Sequence, residues 1–158
     1  MRISGKVERW AFPYRVNITS DLGGRLLRAE VISRSLEFQL DDMQGHERWR
    51  SKIEYNTGFL GWLKSPNFVM YREDDCSSRV LLRKSGWMQI RADWKQNSAW
   101  FSFATKEQAV ECLDLRLRLG REDFTANFGP KAIQTFPPIV MAGILYYVWL
   151  RFTVISES

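Results

Sequence analysis

The sequence predicts a mainly β fold in which antiparallel strands close into a barrel around one buried C-terminal helix. Three observations predict it. The first hundred residues alternate apolar and polar positions between short turns rich in Asp, Gly and Ser. One unit, an alternating run, an Asp-led turn and a second run carrying Arg, occurs three times in series. Near the end, Ile139 to Leu150 carries no charge and no strongly polar group, so that segment has to be enclosed by protein or by lipid.

The three similar units run from Tyr14 to Val31, from Leu36 to Ile53 and from Asn67 to Lys84. Their turns are placed at Asp21-Leu22-Gly23-Gly24, Asp42-Met43-Gln44-Gly45 and Asp75-Cys76-Ser77-Ser78. Asp, Gly and Ser accept the backbone geometry that joins paired strands, so each unit predicts a β-hairpin. A fourth hairpin follows from Trp87 to Ala104, turning at Lys95 to Ser98. "TKEQAVEC" predicts a short helix, because Thr105 with Gln108 three residues on forms a capping box. In "CLDLRLRLG", Leu113, Leu115, Leu117 and Leu119 alternate with Asp114, Arg116 and Arg118, the period of a half-buried strand. A helix continuing to Leu119 is the competing assignment. Gly120 to Asp123 make a turn, and "FTANF" is a strand with Phe124, Ala126 and Phe128 on one face.

The tail is predicted as a helix over about residues 136–152, with Thr135 as N-cap and Pro137 and Pro138 in the first turn, where missing N–H groups cost little. Its apolar run covers roughly 22 Å at about 1.5 Å per residue. A bilayer core is about 30 Å thick, so a membrane anchor is the poorer alternative. About ten strands with alternating faces need an apolar filling, and a barrel closed around this helix meets both needs. Ala142 and Gly143 would let strands approach its backbone, while Tyr146, Tyr147 and Trp149 fill the wider end, each with a polar atom needing a partner.

A chain of 158 residues suits one domain spanning 1–158 and can bury a core without disulfides or metal. Apolar residues make up 45%, which argues against disorder. Aromatics reach 14%, including seven Trp, in keeping with a strand-rich core. The net charge of +5 suits an anionic partner. Cys76 and Cys112 lack metal-ligand spacing and are expected as free thiols. The first residues hold no apolar run of signal-peptide type, so a cytoplasmic protein is expected.

Hairpins with Asp-led turns, followed by "GREDFTANFGPKAIQTFPPIVMAGILYYV", resemble the tubby C-terminal domain-like superfamily, which includes tubby proteins, phospholipid scramblases and plant LURP-one-related proteins. The resemblance covers most of the chain in pattern and order. It implies a barrel of twelve antiparallel strands around a hydrophobic C-terminal helix. No Pro-rich N-terminal region, palmitoylated Cys cluster or calcium-binding-like segment of scramblase type is visible, and no phosphoinositide motif of tubby type. The chain looks like a minimal barrel, closest in size to the LURP-one-related members.

The residues suggest binding rather than catalysis. His46 lies in a turn without a Ser or Cys placed as nucleophile, and there is no Gly-rich phosphate loop. Asp41-Asp42 and Asp74-Asp75 lack the spacing of a calcium loop. No cofactor or metal is expected. Basic alternation is the stronger signal. Arg48, Arg50 and Lys52 share one strand face opposite Trp49 and Ile53, and Arg116 and Arg118 repeat the pattern. If these strands neighbour one another, they form a basic stripe for lipid headgroup phosphates. The bland alternative is a solvated face with acidic partners such as Glu37, Asp114 and Glu54. In "GFLGWLKSPNF", Phe59, Leu60, Trp62 and Leu63 precede Lys64. That loop either contacts a membrane or plugs a barrel mouth.

The expected function is a non-enzymatic module that binds anionic phospholipid at a membrane surface, peripherally and without a transmembrane span. A protein-interaction or regulatory domain with no lipid ligand is the first alternative. The second is a nucleic-acid-binding protein that uses the basic face, with Trp49 and Trp94 as stacking platforms.

Overall fold

The computed structural model describes residues 2–9, 15–21, 26–31, 37–43, 47–54, 67–84, 89–94, 97–103, 108–111, 115–130 and 136–150. These are mainly β. Antiparallel strands form one sheet, followed by a single C-terminal helix among the described residues. The strands are β1 (Arg2–Arg9), β2 (Arg15–Ser20), β3 (Leu26–Val31), β4 (Phe38–Asp42), β5 (Arg48–Glu54) and β6 (Asn67–Arg72). They continue as β7 (Asp75–Lys84), β8 (Gln89–Trp94), β9 (Asn97–Phe103), β10 (Gln108–Glu111), β11 (Leu115–Leu119) and β12 (Asp123–Phe128). The helix, α1, spans Pro138–Trp149. Each strand pairs with its neighbours in sequence, and β1 pairs with β2 on one side and β12 on the other.

Alternation decides which side chains meet. Val16 and Ile18 of β2, Phe38 and Leu40 of β4, and Phe124, Ala126 and Phe128 of β12 all point inward and are buried. Every residue of α1 from Ile139 onward is buried, as is Leu150 beyond it. The inner faces and the helix therefore form one core. Tyr146 stands edge-on to Phe38 at 4.9 Å, Tyr147 packs on Phe68 at 4.5 Å, and Trp149 on Phe124 at 6.1 Å. Gly143 faces β6 so closely that a Cβ there would run into the Met70 side chain, with Leu40 3.7 Å away. A helix apolar all round has to be enclosed, and from Ile139 onward no residue of α1 is exposed.

Four local expectations need correction. The helix starts at Pro138, with Pro137 as its extended N-cap at φ −61°, ψ 151°. A residue before proline is pushed out of the helical region, and Phe136 and Pro137 both precede proline. The helix predicted in "TKEQAVEC" gives way, over Gln108–Glu111, to strand β10, which pairs with β9 and β11. Ladder hydrogen bonds on both sides outweigh the helical preference of four residues. The fourth turn is shorter than predicted, since β9 begins at Asn97. The third turn falls at Glu73 and Asp74 instead of Asp75–Ser78. Asp75 to Ser78 form a bulge in β7, where Arg72 pairs with Asp75 while Tyr71 pairs with Arg79. The Asp75 carboxylate holds that bulge, accepting from the Ser77 N–H at 3.1 Å, the Ser77 hydroxyl at 2.6 Å and the Ser78 hydroxyl at 3.1 Å.

No helix among the described residues is long and apolar enough to cross a membrane.

Candidate functional site

The alternation that buries one face of each strand turns the other outward, and the cations lie there. On β5, Arg48, Arg50 and Lys52 face out while Trp49 and Ser51 face in. On β11, Arg116 and Arg118 face out while Leu117 and Leu119 face in. The two groups do not form one stripe. In the pairing order, β5 lies between β4 and β6, and β11 between β10 and β12. Adjacency in the sheet is a property of the whole topology, which neither segment carries in its own sequence. The loop residues Phe59, Leu60, Trp62, Leu63 and Lys64 lie outside the described residues, as does His46.

The β5 cations are met by acids. Arg48 Nε lies 2.5 Å from Asp41 and 3.8 Å from Glu73, and Arg50 is 3.6 Å from the same Glu73. The hydrogen bond and charge of Asp41 raise the Arg48 pKa. Lys52 lies 3.5 Å from Glu54 and over the Tyr71 ring at 5.3 Å. Arg72 extends the network to Glu47 and Asp74. Trp49 and Trp94 face the core, 2% and 6% exposed, with centroids 5.8 Å apart. Neither is presented as a platform for bases. Asp41 points outward to Arg48 while Asp42 is buried, so the pair cannot converge on a cation. No group able to hold a metal occurs among the described residues.

The other cationic face is built differently. Register brings outward residues of β2, β1, β12 and β11 into rows across the strands. Thr19, Ser4, Thr125 and Arg118 form the central row. Arg2, Asn127 and Arg116 form the row on one side, and Asn17, Lys6 and Asp123 the row on the other. Short side chains in the centre between longer ones leave a groove of about 670 Å³, lined by Arg2, Ser4, Lys6, Thr19, Arg118 and Thr125 among others. A smaller hollow of about 280 Å³ shares Arg2, Ser4 and Thr19 and continues to Asp21. Beneath the groove, Gly5 leaves its inward side to the Phe124 ring, which occupies the place a Cβ would take.

Charge pairing separates this face from β5. Arg118 is held by Asp123 at 2.8 Å, and Glu8, at the far end of the groove, lies 3.8 Å from Arg28. Arg2, Lys6 and Arg116 make no ion pair among the described residues. The hydroxyls of Ser4, Thr19 and Thr125 likewise have no hydrogen-bond partner there. Arg2 is fixed through its backbone instead, its N–H donating to the Asp21 carboxylate at 2.8 Å.

The sequence reading missed β1 entirely. Its signal was present in Ile3, Gly5 and Val7 alternating with Arg2, Ser4 and Lys6. The chain matches no family model, no curated protein and no solved structure.

Proposed function

We propose that the protein is a non-enzymatic binding module for anionic phospholipid at a membrane surface, built on a closed twelve-stranded barrel of tubby-like type around α1. Pairing of β1 with both β2 and β12 supports closure, and burial of α1 on every side supports its central place. One observation carries the ligand. On the outer face of β2, β1, β12 and β11, Arg2, Lys6 and Arg116 stand beside Arg118 without acidic partners among the described residues. Unpaired cations attract an anionic surface at about 1 kcal/mol each. Cations already bridged to carboxylates add little net field, so Arg48, Arg50 and Lys52 are secondary contributors.

Flotation with vesicles of phosphatidylcholine, with and without phosphatidylserine, tests this. Binding should require the anionic lipid and weaken with salt. The double variant R116E/R118E should lose most of it, and R48E/R50E much less. Absence of binding by the unaltered protein would remove the lipid function. A greater loss in R48E/R50E than in R116E/R118E would return the contact to β5.

A further inference from the structure

We infer that the groove floored by Ser4, Thr19 and Thr125 is a phosphomonoester site, for a terminal phosphate carried by a soluble polyol or by a lipid headgroup. This rests on the anionic-ligand reading above and narrows it.

Attraction to a charged surface needs exposed cations but no hollow. Here the cations border one. The three alcohol side chains occupy adjacent register positions on neighbouring strands, Thr19 opposite Ser4 and Ser4 opposite Thr125. Side chains so placed stand about 5 Å apart, and each brings an O–H not engaged with any described residue. Lys6 and Arg2 flank that row on β1, and Arg118 ends it on β11. Arg118 is already oriented by Asp123 at 2.8 Å, so its fork is positioned before a ligand arrives.

A terminal phosphate presents three free oxygens and a charge of about −1.5 to −2 at neutral pH. A phosphodiester presents two and a single charge. Three hydroxyl donors between cations fit the former better, because charged acceptors make the stronger hydrogen bonds. Acids at the far end complete the assignment. Asp123 and Glu8 line the groove on the side away from Arg2. They can accept hydroxyls of a polyol and would repel a second phosphate. The volume of about 670 Å³ exceeds one phosphate and leaves room for its carrier.

Two sets of probes separate the sources. The first is glycerol 3-phosphate, with glycerol as control, titrated by calorimetry. The second is vesicles containing phosphatidic acid, a monoester, or phosphatidylglycerol, a diester, adjusted to equal surface charge. The unaltered protein should bind glycerol 3-phosphate but not glycerol, and should prefer phosphatidic acid vesicles. The S4A/T125V variant should lose that preference by about tenfold or more, the worth of a charged hydrogen bond, while keeping its binding to phosphatidylglycerol. If that variant does not fold, K6Q, altering an exposed side chain, should weaken glycerol 3-phosphate binding in the same way. Equal binding to both vesicles without glycerol 3-phosphate binding overturns the groove and leaves the membrane function standing. Glycerol 3-phosphate binding without vesicle binding supports the groove and overturns the membrane function. Binding to none of these probes overturns both.

Discussion

The indole Nε1–H of Trp149 donates to the carbonyl oxygen of Gly120 across 2.8 Å. This bond ties the last turn of α1 to the bend between β11 and β12. It answers the need, raised by a Trp in an apolar tail, for a buried N–H to find an acceptor. The same bend is closed by Gly120 N–H donating to the Asp123 carbonyl at 2.7 Å.

Trp149→Phe should separate packing from hydrogen bonding. The ring would still pack against Phe124 and Tyr146, but the Gly120 carbonyl would lose its donor. A cost of about 1–3 kcal/mol is expected, against about 3–5 kcal/mol for Trp149→Ala, which also empties the site. Urea unfolding of both variants measures the difference. A Trp149→Phe variant as stable as the unaltered protein, with Trp149→Ala destabilised, would mean that the bond contributes nothing.

Gly143→Ala sets two effects against each other. Alanine in a helix gains about 1 kcal/mol over glycine, whereas a Cβ here collides with the Met70 side chain. Met70 is fully buried, so its end cannot swing into solvent, and overpacking costs about 1–3 kcal/mol. A net loss in thermal stability is expected. Met70→Ala in the same chain should recover part of it, giving a non-additive double-mutant cycle. Additive effects would place the strain elsewhere.

The Asp75 bulge makes a pH prediction. Donation from the Ser77 hydroxyl, then the Ser77 backbone N–H and the Ser78 hydroxyl, lowers the carboxyl pKa from its ordinary value. A lowered folded-state pKa contributes stability above the unfolded value, about 3.9, and that contribution is lost as pH falls through the lower folded value. Carbon-detected titration should find Asp75 titrating below an ordinary Asp, and Ser77→Ala should move it back up. An unchanged midpoint in Ser77→Ala would show that the hydroxyl does not hold the carboxylate.

How far the sequence carried depended on whether a signal was local. "LRLRL" and "FTANF" follow a strict period of two and became β11 and β12. Ile139 to Leu150 is apolar on every side, and it is buried on every side. "QAVE" misled because its residues favour helix, and only the partners on both sides make it a strand. The candidate site was half legible. Arg116 and Arg118 were visible as outward cations, but Arg2, Ser4 and Lys6 join them only because β1 pairs with β12. Period-two patterns tell which face a residue takes, never which strand lies beside it.

That pairing also sets a schedule. A ribosome makes β1 well before β12, yet Arg2 finds its partner Asn127 only when β12 has appeared. The core of α1 comes later still, after every strand whose inner face it covers. The nascent chain thus carries apolar strand faces with nothing to pack on until translation of this segment ends. Such a topology is rich in long-range contacts, which slow folding, and exposed strands in waiting are prone to aggregate. Expression yield should therefore respond to holdase chaperones more than to the equilibrium stability of the finished protein.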